Sequence, residues 1–85
     1  MEGSIYVANI MTNQVTVRED RTDLSFAKKV ESCLLQICRE LDIPIPLWLR
    51  KNTNEFARFH QTLFFRESYS EQVVFDRFRI RWIDG

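Results

Sequence analysis

The sequence is poor in glycine, proline, cysteine and histidine, with two, two, two and one in 85 residues. Glycine occurs only at Gly3 and Gly85, so no glycine-rich loop is present to cradle a phosphate. The scarcity of proline and glycine together excludes collagen-like repeats, linker arrays and low-complexity segments. No apolar run approaches the roughly 18–20 residues that a membrane-spanning helix requires. No charged start followed by an apolar block reads as a signal peptide. Charge of either sign is not in excess: twelve Lys and Arg balance twelve Asp and Glu. A general nucleic-acid binder usually shows a basic excess, and that footprint is missing. The partners expected are therefore a protein or a second copy of the chain, with nucleic acid second and no membrane.

Cys33 and Cys38 stand five apart in a segment that reads as helix. Five residues turn a helix by roughly 500°, so the thiols diverge by about 140°. That divergence argues against a disulfide between them. Two cysteines and one distant histidine do not complete a tetrahedral zinc site, so no metal and no cofactor is expected. Reduced, buried thiols in a cytoplasmic protein are the expectation.

What the chain does have is apolar content (45%) sufficient for one globular core, and marked periodicity. Ser4 to Ile10 favours a strand, and Val15 to Glu19 alternates apolar with polar residues. The two predict a β-hairpin turning near Thr12–Gln14, with Val15 and Val17 inward. A helix follows from about Leu24 to Asp42, capped by Asp23 or Ser25, with Ala27, Val30, Leu34, Ile37, Cys38 and Leu41 on one face. Pro44 and Pro46 end it. The apolar, proline-stiffened stretch to Leu49 is expected to lie across the core with Trp48 buried. A short helix from Thr53 to about His60, capped by Asn52 with Glu55 at N3, is expected to bury Phe56 and Phe59. Thr62–Arg66 reads as a strand. At the end of the chain, Phe78, Ile80 and Trp82 alternate with Arg77, Arg79 and Arg81, the period of a half-buried strand. The expected fold is α+β: a small antiparallel sheet with one long amphipathic helix on one face, in the order ββα, short α, ββ, as a single domain.

No motif for nucleophilic, metal or nucleotide chemistry occurs. His60 stands alone, with Asp76 and Glu55 as conceivable partners. A core of this size leaves little room for a cleft, so an enzyme is not expected. The most suggestive feature is the Arg77/Arg79/Arg81 stripe, whose guanidiniums stand about 7 Å apart along one strand face. It suits a phosphate backbone, with Arg58, Arg66 and Lys51 as helpers and Tyr69 and His60 as stacking groups. The plainer reading is a solvated face paired with carboxylates on a neighbouring strand, with Glu71, Asp76 and Asp84 reducing the field. A second candidate interaction surface gathers Lys51, Asn52, Asn54 and Glu55 at the start of the short helix; the plainer reading there is a helix cap. Aromatic residues are numerous, seven Phe, two Trp and two Tyr. A surplus that escapes burial would mark a partner surface or a homodimer seam.

The order Leu41-Asp42-Ile43-Pro44, Pro46-Leu47-Trp48-Leu49, Lys51-Asn52, Asn54-Glu55-Phe56, then Phe59, Thr62, Phe64, Phe75-Asp76, Phe78 and Ile80 resembles a group of short uncharacterised proteins from clostridia and related gut bacteria. The likeness runs from about Ile5 to Asp84. It implies a bacterial cytoplasmic domain and carries no catalytic, cofactor or binding residue onto this chain. The expected function is a non-enzymatic protein-interaction or adaptor module.

Overall fold

The computed structural model describes residues 1–83. Two strands, β1 (Glu2–Val7) and β2 (Ile10–Thr16), are followed by helices α1 (Phe26–Leu41) and α2 (Arg50–Phe59), then by strands β3 (Gln61–Phe65) and β4 (Arg77–Arg81). The four strands form one antiparallel sheet in the order β2-β1-β4-β3. The fold is α+β in the expected order, with both helices on one face of the sheet.

The hairpin turns at Ala8–Asn9 rather than near Thr12–Gln14. Val7 pairs with Ile10, and both loop residues take left-handed backbone, φ 52° and 66°. Positive φ at both central positions is the two-residue turn that suits the twist of a hairpin. Three contacts from the start of β4 hold it. Asp76 accepts from the Ala8 N–H at 2.5 Å, the Asp76 N–H donates to Tyr6 O at 2.9 Å, and Arg77 donates to Asn9 Oδ1 at 2.9 Å. The break in apolar alternation at Met11–Gln14 is instead a β-bulge. Ile5 pairs with Asn13 and Tyr6 with Met11, which leaves Thr12 as the extra residue.

Helix α1 starts at Ser25, whose Oγ accepts from the Lys28 N–H, and ends at Asp42 in left-handed backbone. Val30, Cys33, Leu34, Ile37 and Cys38 face the sheet and are buried. Contact is closest over β1: a Cβ at Gly3 would collide with Ile37 Cγ2 and touch the Phe78 ring. Gly3 is what lets the helix axis come down onto the sheet. Burial raises both thiols, Cys38 to about 11, and no disulfide joins them.

The inner face of the sheet carries Ile5, Phe64, Phe78 and Ile80, all buried, with Phe64 stacked on Phe78 at a centroid distance of 6.0 Å. Val73 and Phe75 add to this core without joining the sheet. They lie in the bent segment before β4, where both are buried and Phe75 meets Tyr69 edge-on at 5.4 Å.

Candidate functional site

Helix α2 begins three residues earlier than its capping residues suggested. Leu49 is the N-cap, and Asn52 sits at N3, where its Oδ1 accepts from the Leu49 N–H at 2.8 Å. The amide's other end reaches the sheet: Nδ2 donates to Thr62 Oγ1 at 2.9 Å and to Leu63 O at 3.3 Å. Thr62 Oγ1 in turn donates to Glu55 at 2.6 Å. Asn52 is 0% exposed. The expected surface patch of Lys51, Asn52, Asn54 and Glu55 is therefore corrected. Asn52 and Glu55 are turned inward to bolt α2 onto β3, Lys51 lies over the Phe65 ring at 5.8 Å, and Asn54 alone is simply exposed.

The Arg77/Arg79/Arg81 stripe does stand on the face of the sheet away from the helices. Each guanidinium is engaged within that face. Arg77 lies 4.5 Å over the Tyr6 ring, and Arg79 and Arg81 share Glu2 at 3.4 and 3.3 Å. Glu2 pairs in register with Arg81 and is the neighbouring-strand carboxylate that the plainer reading called for. The helpers are also occupied: Arg66 holds Phe75 O and Asp76, and Arg58 lies over Phe59. Tyr69 is buried against Phe75, so it offers no stacking surface. Asp84 lies outside the described residues.

The expectation that so small a core leaves little room for a cleft is overturned. A groove of about 650 Å³ runs between α1, the Ile45–Trp48 segment and α2. Phe26, Leu34 and Leu35 wall it from α1, and Trp48 and Phe56 wall it from the opposite side. Trp48 is not a core residue. It is 37% exposed, with its Nε1 donating to Thr53 Oγ1 at 2.7 Å and its ring 5.7 Å from Phe64. Phe26 is 51% exposed, braced edge-on against Trp82 at 5.0 Å. Phe59 was expected inside beside Phe56 but points outward, 62% exposed. Ile45, Leu47 and Leu49 are exposed on the connector. Glu31 and His60 are the ionisable residues among the thirteen that line the groove. His60 closes α2 in left-handed backbone, and its carbonyl accepts from the Trp82 N–H at 2.8 Å. The carboxylates suggested as its partners are used elsewhere, Glu55 by Thr62 and Asp76 by Arg66 and Ala8.

The helices that wall the groove carry six basic residues, Lys28, Lys29, Arg39, Arg50, Lys51 and Arg58, against Glu31, Glu40 and Glu55. In a neutral chain, the two helices carry a net +3, or +2 without Lys51, which lies over Phe65 on the outer sheet face. No helix among the described residues is long and apolar enough to cross a membrane. No family model, curated protein or solved structure matches the chain.

Proposed function

We propose that this chain is a non-enzymatic protein-interaction module, and that the groove between α1 and α2 receives an amphipathic helix from a partner protein. The observation that carries this reading is the convergence of Phe26, Leu35, Ile45 and Trp48, all exposed, on one groove of about 650 Å³. An apolar patch of this kind on a small domain marks an interaction site. An apolar groove between two helices suits a helix presenting anchors at i, i+3, i+4 and i+7. The net positive helical layer favours acidic residues flanking those anchors.

The test uses two synthetic helical peptides with the same apolar anchors, one flanked by Glu and one by Lys, titrated against the Trp82→Phe variant so that Trp48 is the sole tryptophan. The acidic peptide should shift Trp48 emission saturably and bind more tightly than the basic one, with the difference shrinking as salt rises. Phe26→Glu and Leu35→Glu should abolish the response while circular dichroism stays unchanged. Absence of binding by both peptides, or a response that survives Phe26→Glu, would sink the reading.

A second reading, single-stranded nucleic acid on the outer sheet face, is favoured by the arginine stripe sharing that face with Tyr6, Leu63 and Phe65. It has the weaker support, because Glu2 and Tyr6 already occupy the guanidiniums. A low-salt mobility shift that disappears in Arg79→Glu/Arg81→Glu would replace the first reading with this one.

A further inference from the structure

We propose that the β2 edge pairs with β2 of a second copy, joining two four-stranded sheets into one eight-stranded sheet about a two-fold axis at Val15. This surface is separate from the helical groove and does not rest on that reading.

The two edges of the sheet differ. At the β3 edge α2 packs against the strand, and its Asn52 Nδ2 takes the outward Leu63 carbonyl. The β2 edge is open over seven residues, Ile10–Thr16, six of them exposed and none charged. Open edges ordinarily carry lysine, proline or other charge to discourage pairing. This one carries no such guard, and Ile10 is 66% exposed.

The hydrogen-bond alternation says which groups are available. Met1 and Val17 exchange both backbone bonds, Val17 N to Met1 O at 2.9 Å and Met1 N to Val17 O at 2.6 Å. From that pair the antiparallel ladder alternates. With Gly3 opposite Val15 and Ser4 opposite Gln14, Val15 bonds to β1, while Gln14 and Thr16 turn their N–H and C=O outward. Centring the two-fold on Val15 sets Gln14 of each copy against Thr16 of the other. Both outward residues then exchange both bonds, four in all. The same register places Val15 against Val15 on the inner face, a β-branched pair, and Gln14 against Thr16 on the outer face. No like charges meet, since Arg18 falls opposite Thr12.

Two features favour a second copy over a foreign strand. A strand lying against its own copy about a two-fold is antiparallel, as every pair in this sheet already is. The bulge at Thr12 ends the regular stretch, which confines pairing to the part of β2 that is self-complementary. Because the two-fold pairs the same β2 patch on both copies, the contact is used up in the pair and the assembly closes as a dimer rather than extending as a fibre.

Sedimentation of the full chain over a concentration series tests this. A monomer–dimer equilibrium is expected, and Gln14→Lys/Thr16→Lys, which sets lysines against each other across the axis, should give a monomer with an unchanged circular dichroism spectrum. Val15→Cys should form an intermolecular disulfide under mild oxidation, because opposed non-hydrogen-bonded positions lie about 4.5 Å apart at Cα, within disulfide reach. Asn13→Cys, opposite Val17, should not. A wild-type chain that stays monomeric to its solubility limit would overturn the proposal. So would a dimer that survives the double lysine variant, or Asn13→Cys crosslinking as readily as Val15→Cys.

Discussion

Replacing Asn52 by alanine should be among the most damaging polar substitutions in this protein, and replacing Asn54 should do nothing measurable. The two residues are the same in kind and two apart in sequence, and their structural positions are opposite. Asn52→Ala removes three hydrogen bonds, to the Leu49 N–H, Thr62 Oγ1 and Leu63 O. Each is worth a net of about 0.5–1.5 kcal/mol, with the long contact to Leu63 at the low end. Leu49 is exposed, so its freed N–H finds water, whereas Thr62 is buried and keeps only Glu55. The loss comes to about 2–3 kcal/mol, against a total stability of about 4–13 kcal/mol for a chain of this length. In urea denaturation, with a slope near the bottom of the roughly 1–3 kcal/mol/M range, the midpoint should fall by about 2 M. Asn54→Ala, exposed on the same helix, should stay within about 0.5 kcal/mol of wild type. Asn52→Asp keeps the acceptor for Leu49 but puts a carboxylate toward Thr62 and Leu63 O. Its deficit should shrink as pH falls through the carboxylate range and the group regains a proton to donate. If Asn52→Ala loses less than about 0.5 kcal/mol, the amide is not what fastens α2 to the sheet.

Three further outcomes follow from the geometry. Gly3→Ala inserts a methyl group against Ile37 and Phe78, and chemical denaturation should show a loss of about 1–3 kcal/mol from overpacking. Ala8→Gly relieves a non-glycine residue at φ 52° and should raise the melting temperature, the gain being up to about 1 kcal/mol. Stability should fall on the alkaline side. Burial lifts the folded Cys38 pKa from 9.0 to about 11, so above about pH 9 the unfolded chain sheds a proton that the native state keeps. Cys33 and Tyr69, raised by burial in the same direction, act with the same sign. The denaturation midpoint should therefore decline between about pH 9 and 11, and Cys38→Ala should flatten part of that decline.

Local periodicity made α1 and β4 legible in the sequence. Apolar steps of three and four placed the helix within two residues of its observed ends, and strict alternation placed the three arginines on one face. The hairpin turn was not legible, because Ala8 is a poor turn residue and is held by Asp76, 68 positions away. Asn52 advertised a helix start, but whether such a residue serves as N-cap or at N3 depends on what its other end meets, here Thr62 and Leu63. Glu2, the counter-ion of the arginine stripe, is 77 positions from Arg79 and carries no local signal. The candidate groove was hidden for a different reason. Apolar composition records what a chain is able to bury. It does not record which of Trp48, Phe56 and Phe59 wins the limited space under two helices, and here Phe56 takes it.

The groove persists because its two walls are fastened to different strands. Helix α1 is seated over β1 by the absence of a side chain at Gly3, and moving it toward α2 would lift Ile37 out of that seat. Helix α2 is bolted to β3 by the Asn52 amide, and moving it toward α1 would break the bonds to Thr62 and Leu63. The connector cannot shorten the gap either. Pro44 and Pro46 restrict its backbone, and the Leu47 N–H is committed to Ser68 O at 2.7 Å. Collapse would bury Phe26 and Trp48, a gain of about 25 cal/mol for each Å² of apolar surface, yet it would cost the packing at one anchor or the hydrogen bonds at the other. An apolar cleft held open against that gain stays available to an outside apolar surface, which can cover the same aromatic residues without disturbing either anchor.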